Sequence, residues 1–149
     1  MQIAVIGSGA DWAPQAEEVG KLLAGRGCVV VCGGLGEVME AVARGAKEAG
    51  GTTVGVLPGE SPKDANRWID YAVATGTGHA RNLAVVASCE AAIAVGGRWG
   101  TAAEVSYARL LGRPVVVLGP GPPVDGEGVE HADTPADAVE RALELAGAH

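Results

Sequence analysis

Short apolar runs, most of them stopped by glycine, alternate along this chain with longer stretches whose apolar positions recur every three or four residues. The short runs read as buried strands and the longer ones as amphipathic helices. Residues 2–6 form the first run and end in Gly7-Ser8-Gly9; Pro14 then sits in the first turn of a helix to residue 24, with Val19, Leu22 and Leu23 on one face. Residues 28–32 (Cys-Val-Val-Val-Cys) are apolar on both sides, as in a strand covered by helices on both faces. They lead into Gly33-Gly34-Leu35-Gly36 and an alanine-rich helix over 37–49. A third strand spans 52–57. The polar stretch 60–68 reads as a surface loop or lid, in which Trp68 either lines a pocket or anchors the loop. A short strand over 70–74 precedes a glycine-containing turn and a helix over 80–88.

The second half repeats the arrangement. Residues 91–95 are a strand, 100–111 a helix and 115–118 a strand, while 124–133 reads as an acidic loop. Thr134 and Pro135 suit the N-cap and first position of a last helix. Strands alternating with helices predict an α/β fold: one domain over residues 1–149, built on a doubly wound parallel sheet with right-handed crossovers. The glycine loops after Ile6, Cys32, Thr75 and Val95 then share one edge. In such sheets ligands bind at the carboxyl ends of the strands, near the switch in strand order.

Composition narrows the function more than the fold. The net charge of −7 argues against a nucleic-acid groove, which needs a basic footprint. The N-terminus passes straight into a strand without a leader pattern, and no apolar stretch reaches membrane-spanning length. The expectation is a cytoplasmic protein that binds neither nucleic acid nor membrane. Cys28 and Cys32, four apart on one strand, stand roughly 13 Å apart, too far for a disulfide. With Cys89 they read as reduced, buried thiols, and their spacing gives no metal site.

The stretch from Ala91 to Leu111 carries the chemistry. A strand breaks at Gly96-Gly97, passes Arg98, Trp99 and Gly100, and restarts as a helix with Thr101 and Glu104 in its first turns. Glycines let backbone approach a ligand, and the free N–H groups of a helix start attract an anion, so phosphate is the expected guest. The Thr101 hydroxyl can cap the helix or meet a phosphate oxygen. Side chains lean toward a helix N-terminus, which puts Glu104 over the same pocket unless it serves only as a dipole partner. Gly7 and Ser8 belong to the same predicted phosphate- or nucleotide-binding edge. The loop at Gly33 and Gly34 is equally consistent with ligand approach and with tight packing.

The segments Gly33-Gly34-Leu35-Gly36, Arg81 at the start of a helix, and Gly96-Gly97-Arg98-Trp99-Gly100-Thr101-Ala102-Ala103-Glu104 together resemble the Lonely Guy (LOG) family. Its signature, P-G-G-x-G-T-x-x-E, is approached, with Val95 in place of the proline and two residues, Arg98 and Trp99, where the signature has one. The resemblance implies a Rossmann-like homodimer or larger oligomer that hydrolyses nucleoside 5′-monophosphates to free base and ribose 5-phosphate. It places Arg81 and Glu104 at the catalytic positions. An ionised Glu104 would stabilise the oxocarbenium-like ribose. Arg81 would hold the phosphate, orient Glu104, or form a structural ion pair.

The chain departs from that family at Asn82, where lysine usually follows the arginine, and in the shortened loop Gly36-Glu37-Val38-Met39-Glu40. These departures look more like a side branch related to molybdenum cofactor carrier proteins, which bind a phosphorylated pterin without hydrolysing it. Two expectations follow: a phosphoribohydrolase, or a non-enzymatic carrier with a phosphorylated pterin or nucleotide as cargo. Neither requires a resident cofactor or metal, and a homodimer or homotetramer is expected for both. A lysine decarboxylase is set aside, because Lys21, Lys47 and Lys63 lie on polar helix faces or in a loop, where no desolvated Schiff base could form. His79 could assist the chemistry or report nothing, and Trp99 could stack on a ring or pack on a partner chain.

Overall fold

The computed structural model describes residues 1–147; the last two positions of the expected 1–149 domain lie outside the described residues. Its strands are β1 (Gln2–Ser8), β2 (Val29–Cys32), β3 (Thr52–Leu57), β4 (Tyr71–Ala74), β5 (Ala91–Gly96), β6 (Val115–Leu118) and β7 (Val129–Ala132). The helices are α1 (Ala13–Gly25), α2 (Val38–Glu48), α3 (Arg81–Ala87), α4 (Trp99–Leu110) and α5 (Pro135–Gly147). All strand pairs are parallel, in the order β4-β3-β2-β1-β5-β6-β7. The chain therefore winds outward from β1 to one edge, returns to β5 on the other side of β1, and winds outward again. The doubly wound expectation holds.

Alternation along each strand splits the core in two. Ile3, Val5, Val30, Ile93 and Val95 pack under α1, α2 and α5, whereas Ala4, Ile6, Val31, Ala92 and Ala94 meet α3 and α4 on the opposite face. Two-sided burial explains why β5 is apolar at nearly every position. Cys28, Cys32 and Cys89 are free and buried, and burial pushes the Cys32 thiol up to about 11 and the Cys89 thiol up to about 12. Thr134 Oγ1 accepts the Asp137 N–H at 3.1 Å, the predicted cap of α5.

The segment 124–133, expected as a loop, contains β7. It pairs on one side only, with β6, and just Ala132 of its four residues is buried. An edge strand carrying Glu130 and His131 lacks the apolar run by which the inner strands are recognised. Helix α4 begins at Trp99, one residue earlier than expected. No helix among the described residues is long and apolar enough to cross a membrane.

Candidate ligand-binding site

The switch in strand order falls between β1 and β5, whose carboxyl ends carry Gly7-Ser8 and Gly96. A cavity of about 160 Å³ opens there, lined by Gly7 and Ser8, Gly33, Met39, Arg81 and Asn82, and Gly100, Thr101 and Glu104. Four separate elements thus bring together seven of the residues expected at the site. Gly34, Gly96, Gly97, Arg98 and Trp99 do not line it.

Those five have other positions. Gly97, at φ +108, lies directly over Thr101, so any Cβ there would collide with the threonine side chain. Gly96 packs on the Trp12 indole, which also lies against Gly119; no periodicity marked Trp12 as the wedge beneath these loops. Arg98 is the exposed N-cap residue of α4, and Trp99 is 76% exposed at its first position. Gly34 is held from behind: its carbonyl accepts the Asn66 backbone N–H at 2.9 Å, and Asn66 Nδ2 reaches the Leu35 carbonyl at 2.8 Å. The polar stretch 60–68 is thereby fastened to the β2 loop. Its Trp68 is outside the cavity, stacked under the Arg67 guanidinium with its carbonyl accepting Thr53 Oγ1–H. His79 is exposed in a 3₁₀ turn (Gly78–Ala80) and does not line the cavity either.

Three residues set the character of the site. Thr101 is only 4% exposed yet lines the cavity, and α4 begins without a side-chain cap, which leaves its first N–H groups unused by a capping side chain. Arg81 Nη1 donates to the Gly33 carbonyl at 2.6 Å and to the Val56 carbonyl at 2.9 Å. Its Nε is buried without a partner, and burial lowers the guanidinium pKa against the opposing pull of Glu104. Glu104 was expected to stay ionised. Burial instead pushes its carboxyl up to about 7, and the charge of Arg81 offsets only part of that shift.

A larger cavity of about 340 Å³ lies at the opposite edge, lined by Ser88, Cys89, Glu90 and Arg113 among others. It lies beyond the amino ends of the strands, away from the glycine loops, and Arg113 Nη2 donates there to the Ala87 carbonyl. Among the described residues no group of His, Cys, Asp and Glu side chains is arranged to hold a metal ion.

A seven-stranded parallel sheet with its cavity at the β1/β5 switch point defines a Rossmann-like, doubly wound protein. The chain belongs to the SLOG cluster4 family, which matches residues 1–145. It is this family, and not the Lonely Guy family itself, that the match shows. An uncharacterized protein from Archaeoglobus fulgidus is 46% identical over 143 residues, covering 93% of this chain and 92% of its own. The molybdenum cofactor carrier protein of Chlamydomonas reinhardtii superposes with TM-score 0.88 at 35% identity, covering 98% of each chain. The molybdenum cofactor binding protein of Rippkaea orientalis superposes with TM-score 0.86 at 31% identity, covering 97% of this chain and 96% of its own.

Proposed function

We propose that this chain binds a phosphorylated, ring-bearing small molecule of the molybdenum cofactor type and holds it without cleaving it, as a single ligand-binding domain. The observation that carries this reading is the state of Arg81 and Glu104. Arg81 Nη1 is committed to two backbone carbonyls, and burial pushes the Glu104 carboxyl up to about 7. An arginine used as a clamp and a carboxyl whose burial disfavours the anion are poorly suited to stabilising positive charge on a ribose.

They suit binding better. The uncapped start of α4 offers N–H groups to a phosphate, Thr101 adds a hydroxyl, and the orphaned Arg81 Nε is a buried donor that an anion would satisfy. A cavity of about 160 Å³ takes the phosphate end of such a ligand, and the ring system extends beyond it. The names of the Chlamydomonas and Rippkaea relatives support the same choice of cargo.

Hydrolysis of a nucleoside 5′-monophosphate is the second reading, and one observation favours it. A carboxyl with a pKa near 7 is matched to giving a proton to a departing base. In either case Thr101→Val should weaken the binding of a phosphorylated pterin or nucleotide by about 1–3 kcal/mol, read by calorimetry. Unchanged affinity would remove α4 as the phosphate seat.

We further propose a homo-oligomer, a dimer or tetramer, with a second copy covering the α3/α4 layer. Leu83, Tyr107, Leu110 and Leu111 are exposed there, Leu110 at 79%. Light scattering at micromolar concentration should give at least twice the chain mass; a monomer would contradict this.

A further inference from the structure

The β1 loop is the place in a doubly wound fold where an anionic group commonly docks. Gly7 and Ser8 are still paired with Val95 and Gly96 of β5, so the first amide beyond the ladder is that of Gly9. This N–H donates to Glu37 Oε2 at 2.9 Å, across 28 residues of chain. Glu37 stands immediately before α2, at the rim two residues from the cavity-lining Met39, and does not cap its own helix. Its backbone stands at φ +57, ψ −122, and it is the one non-glycine residue with positive φ among the described residues. These are the angles of the first central position of a type II′ turn, which glycine adopts freely and a side chain only under strain. A strained backbone thus holds an acidic head on the amide of a different loop.

A carboxylate accepts hydrogen bonds and donates none. Seated on the Gly9 amide, it fills that donor and repels any second anion brought to it. We infer that Glu37 closes the β1 loop to anions and so fixes the ligand's orientation, with its phosphate at the start of α4 and a hydrogen-bond donor, an amino or hydroxyl group, toward Glu37. This rests on the reading of the site as one for a phosphorylated ligand. It makes Glu37 a specificity-determining residue, selecting ligands anionic at one end and donor-bearing at the other.

The test is titration of the ¹⁵N-labelled protein with inorganic phosphate, followed at the backbone amides, in wild type and Glu37→Ala. In wild type the Gly100 and Thr101 amides should shift while Gly9 stays still. In Glu37→Ala, Gly9 should shift as well, with several-fold tighter phosphate binding. Glu37→Gly, which also relieves the strained turn, serves as an independent variant should the alanine protein fold poorly. A Gly9 shift in wild type on the same isotherm as Thr101 overturns the inference, as does a Gly9 amide that ignores phosphate in both variants. If phosphate moves Gly9 in the variants but Gly100 and Thr101 in none, the Glu37 block stands and the α4 phosphate seat falls. No shift in any of the proteins overturns both.

Discussion

Two glycine loops of similar make-up stand at the same edge of the sheet: Gly33-Gly34-Leu35-Gly36 after β2, and Gly96-Gly97 running through Gly100 after β5. The first is filled by the protein itself. Arg81 Nη1 takes the Gly33 carbonyl, Asn66 takes those of Gly34 and Leu35, and a Cβ on Gly33 would meet Arg81 and the Met39 sulfur. The second is open. No side chain caps α4, and a Cβ on Gly100 would meet nothing within 4 Å. Glycine is required in the β2 loop because protein atoms already crowd it, and at Gly100 it leaves room for something that is not protein. The two loops look alike in sequence and both reach the cavity, at Gly33 and at Gly100, yet only the second presents an uncrowded glycine at an uncapped helix start.

The largest effect should come from filling the closed loop. Gly33→Ala forces the Arg81 clamp off its carbonyl and should destabilise the fold by about 3 kcal/mol, from overpacking and a broken charged hydrogen bond. Denaturant midpoints would show it, and a loss below about 1 kcal/mol would mean that the clamp contributes little.

Glu104 gives the next test. Its carboxyl holds a proton more tightly folded (about 7) than at its ordinary value of 4.5. Between those values the native state binds more protons than the unfolded one, so stability falls as pH rises through that window, by on the order of 3 kcal/mol in total. Affinity for phosphate should fall over the same range as the acid ionises beside the anion. Glu104→Gln should flatten both slopes; unaltered slopes would place the titration elsewhere.

The smallest effect belongs to the open loop. Gly100→Ala, inside the first turn of α4, should leave stability unchanged or raise it by about 0.5–1 kcal/mol, since alanine is the better helix former. It should still weaken phosphate binding by placing a methyl group at the cavity wall. Loss of stability in place of loss of affinity would erase the contrast between the loops.

Much of this architecture was legible because it is local. Glycine-stopped apolar runs located the inner strands to within a residue or two, and Thr134-Pro135 marked the start of α5. The stretch from Gly96 to Glu104 pointed to the switch-point cavity through its own spacing. What stayed hidden depends on pairs distant in sequence. Arg81 and Gly33 are 48 residues apart, and neither residue signals that the arginine is a clamp. Glu37 reads as the first residue of a helix and Asn66 as part of a polar loop until the fold carries them to Gly9 and Leu35. The neutral tendency of Glu104 follows from burial, whereas its place at a helix start had argued for the anion. β7 escaped notice because only Ala132 of its four residues is buried and Glu130 and His131 break the apolar run.

The most direct test of the central claim is the fate of a bound ligand. Purified protein, loaded with a phosphorylated pterin or with each of a panel of nucleoside 5′-monophosphates and held at neutral pH for many hours, is denatured and its small molecules are identified by mass. A carrier returns the ligand intact, in amounts that fall with Thr101→Val. Free base and ribose 5-phosphate, formed by wild type and absent with Glu104→Gln, would contradict the account.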